Sequence, residues 1–252
     1  MKHSTLALAL LLLLSMAIAV PSAATLTPQG STILITSTSD SGPGTLRQAL
    51  LDAQSGDTIS FDPGVFPAST PFTISVTSEL PHIHQSNLTI DGSNSWVVLD
   101  GSQVPGDWVG GLQIVGSDRN TIQGLHVTGF SGTGIAISGD AKHNLIGGDR
   151  SVGAGPFGQG NMTSHNDFGI GIWSDGIIGA SLNTVRGNLV GTDAAGSQNL
   201  GNHGAGIAVI EGAHDNTIGP DTVVAYNDGS GVEVREPSSL RNTITRNSIH
   251  GN

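Results

Sequence analysis

The sequence predicts an all-β solenoid, a stack of short strands wound into coils, and three observations carry that reading. A glycine followed by apolar-x-apolar returns as Gly111-Leu-Gln-Ile114, Gly134-Ile-Ala-Ile137, Gly169-Ile-Gly-Ile172, Gly206-Ile-Ala-Val209 and Gly231-Val-Glu-Val234. An asparagine followed two residues on by an apolar residue returns at Asn120, Asn144, Asn183, Asn216 and Asn242, spaced 24, 39, 33 and 26 residues apart. Two-residue alternation inside a period of that size is the signature of stacked repeats. The composition agrees: 37 glycines and only 4% aromatics suit short strands joined by many turns better than helices.

The elements follow in order. Residues 1–24 read as a secretory signal, with Lys2 and His3, an apolar run from Leu6 to Val20 and small residues at Ser22-Ala23-Ala24. About 15 apolar residues are short for a membrane span of roughly 20. Thr32-Ile-Leu-Ile-Thr36 has the β-branched character of a strand. After the turn-forming Asp40-Ser-Gly-Pro-Gly44, Thr45 is an N-cap for a helix whose Leu46, Ala49, Leu50 and Ala53 fall on one face. Residues 25–60 are therefore expected to cover the open first coil, because a terminal repeat otherwise exposes unpaired strand edges. Gly56–Phe61, Phe72–Val76, Asn87–Ile90 and Ser95–Leu99 continue as strands broken by turns. From Val109 each coil holds three strands: Gly-Ile-x-Ile, Asn-Thr-Ile, and a third represented by Leu125–Val127, Asn161-Met162, Val223-Val224 and Ser248-Ile249. Insertions at Gly147–Gln159 and Gly191–His203 are expected to line one face.

Alternation assigns roles within the repeat. Leu112, Ile135, Ile170, Ile207 and Val232 should stack into one inward column and Ile114, Ile137, Ile172, Val209 and Val234 into another. The outward positions between them, Gln113, Ala136, Gly171, Ala208 and Glu233, make a nearly flat strand face. The glycine before each strand is expected to supply a left-handed or tight corner. Asn87, Asn120, Asn144, Asn183, Asn216 and Asn242 are expected at another corner, in the αL conformation, as a structural ladder with each amide bonded to the next coil's.

These repeats, together with Val190-Gly-Thr-Asp-Ala-Ala-Gly196, Leu200-Gly-Asn202 and the opening Ser41-Gly-Pro-Gly-Thr-Leu-Arg-Gln-Ala-Leu50, resemble the pectin-lyase-like superfamily of secreted and surface-exposed bacterial proteins. The resemblance covers residues 30–252 and implies a right-handed parallel β-helix with three strands per coil, 61–252 forming the coil. It leaves activity open, since the superfamily holds lyases, hydrolases, epimerases, tailspikes and adhesins. The Asn-Thr-Asp, Asp-Asp, Gly-His-Gly and Arg-Ile-Lys segments of polygalacturonase-like hydrolases are missing, and Asn202-His-Gly204 is a partial echo of one. Arg235-Glu-Pro-Ser-Ser-Leu-Arg241 is one residue longer than the Arg-x-Pro-x-x-Arg of pectate lyases.

Stacking the coils generates a constellation of its own. Asp140 and Asp175 lie three residues beyond the last apolar member of successive Gly-Ile-x-Ile strands, and Glu211 and Glu236 two residues beyond it in the following pair. With coils about 4.8 Å apart, each pair is a candidate acid/base couple, and Asp140 with Asp175 a candidate calcium site. Trp173 is a candidate sugar-binding ring. His165 and His203 flank the insertions and His82-x-His84 has a metal-compatible spacing, though no third ligand is identifiable. Asn87-Leu-Thr89 and Asn161-Met-Thr163 match the glycosylation sequon.

The formal net charge of −11 disfavours nucleic acid and anionic membrane, which attract basic patches. With no cysteine, the coil is held by packing and backbone ladders alone. The sequence ends at Ser248-Ile-His-Gly-Asn252 with no capping element, so the last coil is expected to meet further chain or another copy. The expected function is a secreted or cell-surface scaffold that binds polysaccharide or a cell-surface glycan, or acts as an adhesin, with no membrane span once the leader is removed. The alternative is a carbohydrate-active enzyme, a lyase or hydrolase, drawing on Asp140, Asp175, Glu211 and Glu236.

Overall fold

The computed structural model describes residues 30–176 and 178–252, so the leader read at 1–24 lies outside the described residues. Every strand pairing between the named strands is parallel, and the strands form three sheets of eight, seven and five. From Thr89–Asp91 onward successive strands visit the three sheets in turn. The chain thus winds as a parallel β-helix with three strands to a coil and, among the described residues, a single helix, Leu46–Asp52. The register of the five-stranded sheet is the one alternation requires: Leu112, Ile135, Ile170, Ile207 and Val232 align, and two residues on Ile114, Ile137, Ile172, Val209 and Val234 align. All of these but Val232 and Val234 are fully or almost fully buried in one continuous aliphatic core.

The helix packs on that core with Leu46, Ala49, Leu50 and Ala53 each at most 2% exposed. Thr45 caps it, its Oγ1 accepting the Gln48 N–H at 3.3 Å while donating to Gly42 O at 2.7 Å. Arg47 ties it down, bonding Asp40 at 2.7 Å and the carbonyls of Ser78 and Glu79. Thr32–Ile35 and Thr58–Phe61 are the first two strands of the eight-stranded sheet.

Two expectations about the corners are corrected. The glycines before the third-sheet strands are absent from the left-handed region, and what they provide is space. A Cβ on Gly169 would lie 2.5 Å from Gly206 O and 2.9 Å from Asn202 Nδ2, and one on Gly134 would meet Gly169 O and Asn166 Nδ2 in the same way. The left-handed residue is instead the one preceding each stacked asparagine: Arg119, His143, Leu182, Asp215 and Arg241 have φ between 55° and 59°. Asn87 belongs to that left-handed set (φ 60°), and the position in line with Asn120 is Leu88, whose N–H donates to Asn120 Oδ1 at 2.8 Å. From Asn120 onward each backbone N–H donates to the next coil's asparagine Oδ1, through Asn144, Asn183, Asn216 and Asn242, at 2.8–3.0 Å. Two further columns run at the other corners. Asn166, Asn202, Asn227 and Asn252 form one, and Asn161, Asn188, Thr222 and Asn247 the other.

The three outer faces differ. On the eight-stranded sheet a rank of threonines, including Thr89, Thr121, Thr184 and Thr217, faces out half-buried. On the seven-stranded sheet Met162, Leu189 and Val223 face out, and Phe157 and Leu200 from the two insertions close over them beside Trp96. The five-stranded sheet keeps its outer face open.

Candidate functional site

On that open face Gln113, Ala136, Gly171, Ala208 and Glu233 stand in register on five neighbouring strands. The three central residues carry at most a methyl group, and the Trp173 ring covers Gly171. A groove of about 410 Å³ runs along the stack on this face, with Gln113 and Ala208 of that row on its lining. Trp108, Thr133 and Phe168 stand on the side where the strands begin, and Trp173, Ile210, Glu211 and Arg235 on the side where they end. Three of the chain's ten aromatic residues therefore border one groove.

Each wall has a local cause. Phe168 is in register with Thr133, one residue before the glycine that starts its strand. Trp108 is held with φ at 62°, its side chain 73% exposed, and its backbone packs against Gly132 of the next coil. Trp173 turns back over its own strand: a Cβ on Gly171 would lie 2.2 Å from the indole Cζ3, so the ring rests on the space that glycine leaves. At one end Gln113 Nε2 donates to Glu79 at 3.2 Å, and Glu79 also holds the His82 ring at 3.0 Å. At the other end Arg235 lies 3.4 Å from Glu233.

The carboxylates read from the repeat divide. Glu211 lines the groove, while Glu236 turns its carboxylate to the main chain and accepts the Glu211 N–H at 2.7 Å. Asp140 pairs with Lys142, and Asp175 Oδ1 accepts the Ile178 N–H at 3.2 Å; neither lines the groove. Among the described residues no group of three or more His, Asp or Glu is arranged to hold a metal ion, so Asp140 and Asp175 lack the further protein carboxylates of a calcium cage. His82 and His84 make separate bonds, to Glu79 and to the carbonyl of Val115, with their rings 6.1 Å apart. His165 occupies a left-handed corner (φ 53°), and His203 lies 3.6 Å from Asp228, both away from the groove. Arg235 and Arg241 do not act together: Arg235 faces the groove and Arg241 bonds Asp215 around the corner.

Sequence reasoning missed Trp108 and Phe168, and it raised Arg235 only against the Arg-x-Pro-x-x-Arg segment, not as a groove residue. The available signal was positional: all three lie within three residues of a Gly-Ile-x-Ile segment or its counterpart, as Trp173 does.

Beyond Glu211 the surface continues into a second hollow of about 430 Å³ lined by Ser174, Ile178, Glu211, Gly212, His214 and Ser238. Asp215 beside it is held to a pKa of about 2, first by the Arg241 guanidinium and then by the His214 ring. A third titratable group of note lies under the first insertion. His126, Nε2 2.8 Å from Ser164 Oγ and its ring against Phe157, is pushed down to about 4, chiefly by burial.

With three parallel sheets wound as successive coils, the chain is a parallel β-helix. Among solved structures it is similar to pectate lyase Pel9A (15% identity, TM-score 0.47, 87% of this chain and 63% of that one). It is similar also to an alginate lyase from Paenibacillus sp. str. FPU-7 (19% identity, TM-score 0.45, 86% and 75%) and to the PL6 family alginate lyase AlyGC (14% identity, TM-score 0.25, 88% and 40%). The chain thus spans 63% of the length of the pectate lyase. No protein-family model matches the chain, and no curated protein matches it in sequence. Among the described residues no helix is long and apolar enough to cross a membrane.

Proposed function

We propose that this β-helix binds a polysaccharide chain along the open third face, as an exported or cell-surface scaffold. The observation that supports the reading best is the groove itself: Trp108, Phe168 and Trp173 around Ala208 and Ile210, with Gln113, Glu211 and Arg235 as its polar contacts. Aromatic walls with a few placed polar groups are the usual make-up of a site for a small organic unit, and a groove open at both ends admits a polymer. Aromatic rings offer their faces to the C–H side of a sugar while carboxylate and guanidinium groups take its hydroxyls. Arg235 in the groove is offset by Glu211 on the same lining and by Glu233 3.4 Å away, which favours a neutral glycan over a polyanion. Export rests on the apolar leader in residues 1–24.

The test is affinity electrophoresis and calorimetry against soluble neutral polysaccharides. Trp173→Ala is expected to weaken binding about tenfold or more, as loss of a central aromatic anchor does. Equal affinity of Trp173→Ala and the parent would remove the reading. A second reading, cleavage of the bound chain, has one observation in its favour, the exposed Glu211 at the groove edge near Arg235. Release of new reducing or unsaturated ends, lost in Glu211→Gln, would establish it.

A further inference from the structure

We propose that the hollow beyond Glu211 is a second sugar subsite in which the His214 Nε2 lone pair accepts a hydrogen bond from a glycan hydroxyl. The inference rests on the groove reading and extends it sideways, around the corner between the third and first sheets, because Glu211 lines both the groove and the hollow.

The position of one proton decides what His214 offers a ligand. His214 Nδ1 lies 2.7 Å from Asp215 Oδ2. Arg241, from the next coil, grips the same carboxylate with Nε on Oδ1 and a terminal nitrogen on Oδ2, each at 2.6 Å. A carboxylate held by a guanidinium is ionised and can only accept, so the proton of the neutral imidazole is on Nδ1 and Nε2 carries the lone pair. Nδ1 being engaged, Nε2 is the ring nitrogen left for the hollow that His214 lines. The coil before contributes Ser174, Gly176, Ile178 and Gly179 to the hollow and the coil after contributes Ser238, all uncharged. The charged groups facing the ring are therefore Asp215, Arg241 beyond it, and Glu211 across the hollow. A sugar hydroxyl here donates its one proton to Nε2 and accepts from a serine hydroxyl, while a neighbouring sugar hydroxyl donates to Glu211.

Two measurements on the full mature chain test it. Imidazole ¹⁵N NMR at pH 8 should show His214 as the Nδ1–H tautomer; the Nε2–H tautomer would overturn the proposal without reference to any glycan. Calorimetry at pH 8 with β-1,4-linked hexasaccharides of glucose, xylose and mannose supplies the second readout. His214→Ala should bind the best of them about tenfold less tightly, the worth of one hydrogen bond, and Trp173→Ala should weaken binding as well. Binding that needs Trp173 but is unchanged by His214→Ala overturns the subsite alone. No binding of any hexasaccharide to any form overturns the groove reading and the subsite with it.

Discussion

Replacing Asn183 by alanine removes one acceptor and one amide group from a side chain that is 1% exposed. Its Oδ1 accepts both the backbone N–H and the Nδ2 of Asn144 at 2.9 Å, and its own Nδ2 donates to Ala141 O and Asn216 Oδ1 at 3.0 Å. Some partners survive the loss: Asn144 Nδ2 still reaches Ser117 O, and Asn216 Oδ1 keeps the Asn183 backbone N–H. The Ala141 carbonyl keeps the Ser181 N–H at 3.1 Å, so the group left without a partner is the Asn144 backbone N–H, inside a corner that the next coil closes. An unsatisfied buried group costs about 1–3 kcal/mol, so the substitution should cost about 1–3 kcal/mol, with about 2 as the central expectation. Urea unfolding followed by far-ultraviolet circular dichroism reads this as a lower midpoint. The matched control is Asn87→Gly, at an exposed left-handed position where glycine carries no Cβ penalty; a change within about 0.5 kcal/mol is expected there. A loss below about 1 kcal/mol for Asn183→Ala, or equal losses for the two variants, would refute the reasoning that stacked side-chain amides, and not asparagines as such, hold the corner.

Gly169→Ala places a methyl 2.5 Å from Gly206 O and 2.7 Å from Val190 Cγ1, so two coils must separate locally; a loss of about 1–3 kcal/mol in the same urea assay is expected, and a neutral result would contradict the steric account. His126 gives a pH dependence. Its pKa of about 4 in the folded chain lies below the roughly 6.5 of an unfolded histidine, so between those values the unfolded chain binds a proton that the folded one refuses. Stability from this group is complete above that window and is lost as pH falls through it, by about 2–3 kcal/mol. His126→Gln should therefore lose about 2 kcal/mol less than the parent between pH 7 and pH 4, and parallel losses would sink the assignment.

What the sequence disclosed was whatever repeats. The inward aliphatic columns were legible because a period of two inside each strand and a fixed glycine before it leave one register, the one observed for Leu112, Ile135, Ile170 and Ile207. The corners were less legible because two residue types share the task. Asparagine tolerates αL and also stacks its amide, and the chain separates these roles by one residue, with Leu182 left-handed and Asn183 stacked. Asn87 was misplaced for that reason: its spacing to Ile90 is one residue longer than that of Asn120 to Ile122. The asparagine column through Asn166, Asn202 and Asn227 escaped notice because insertions and differing neighbours blur its offset, although Gly129, His165 and Tyr226 mark the same corner with positive φ. The carboxylates were placed at the right ends of the right strands, but their partners depend on side-chain direction. Lys142 takes Asp140, and a main-chain N–H takes Glu236.

The position of the groove follows from what the other two faces have already spent their side chains on. The threonine face has polar neighbours in its second outward rank, Ser60, Asp91 and Gln123 in register, which give no apolar floor. The second face does carry apolar residues, Met162 and Leu189, but the insertions fold Phe157 and Leu200 down on them, so that surface is used in holding the loops. Only on the third face do small residues coincide in neighbouring coils, and there the aromatics border the groove. Gly171 decides this. Its missing Cβ lets the Trp173 indole lie on the strand, where any larger residue would meet the ring at 2.2 Å and lift it out of the groove. With Ala136 and Ala208 only 1% and 2% exposed on either side, the indole and not the strand beneath it is the surface a ligand meets at the centre of the groove, facing Trp108 and Phe168.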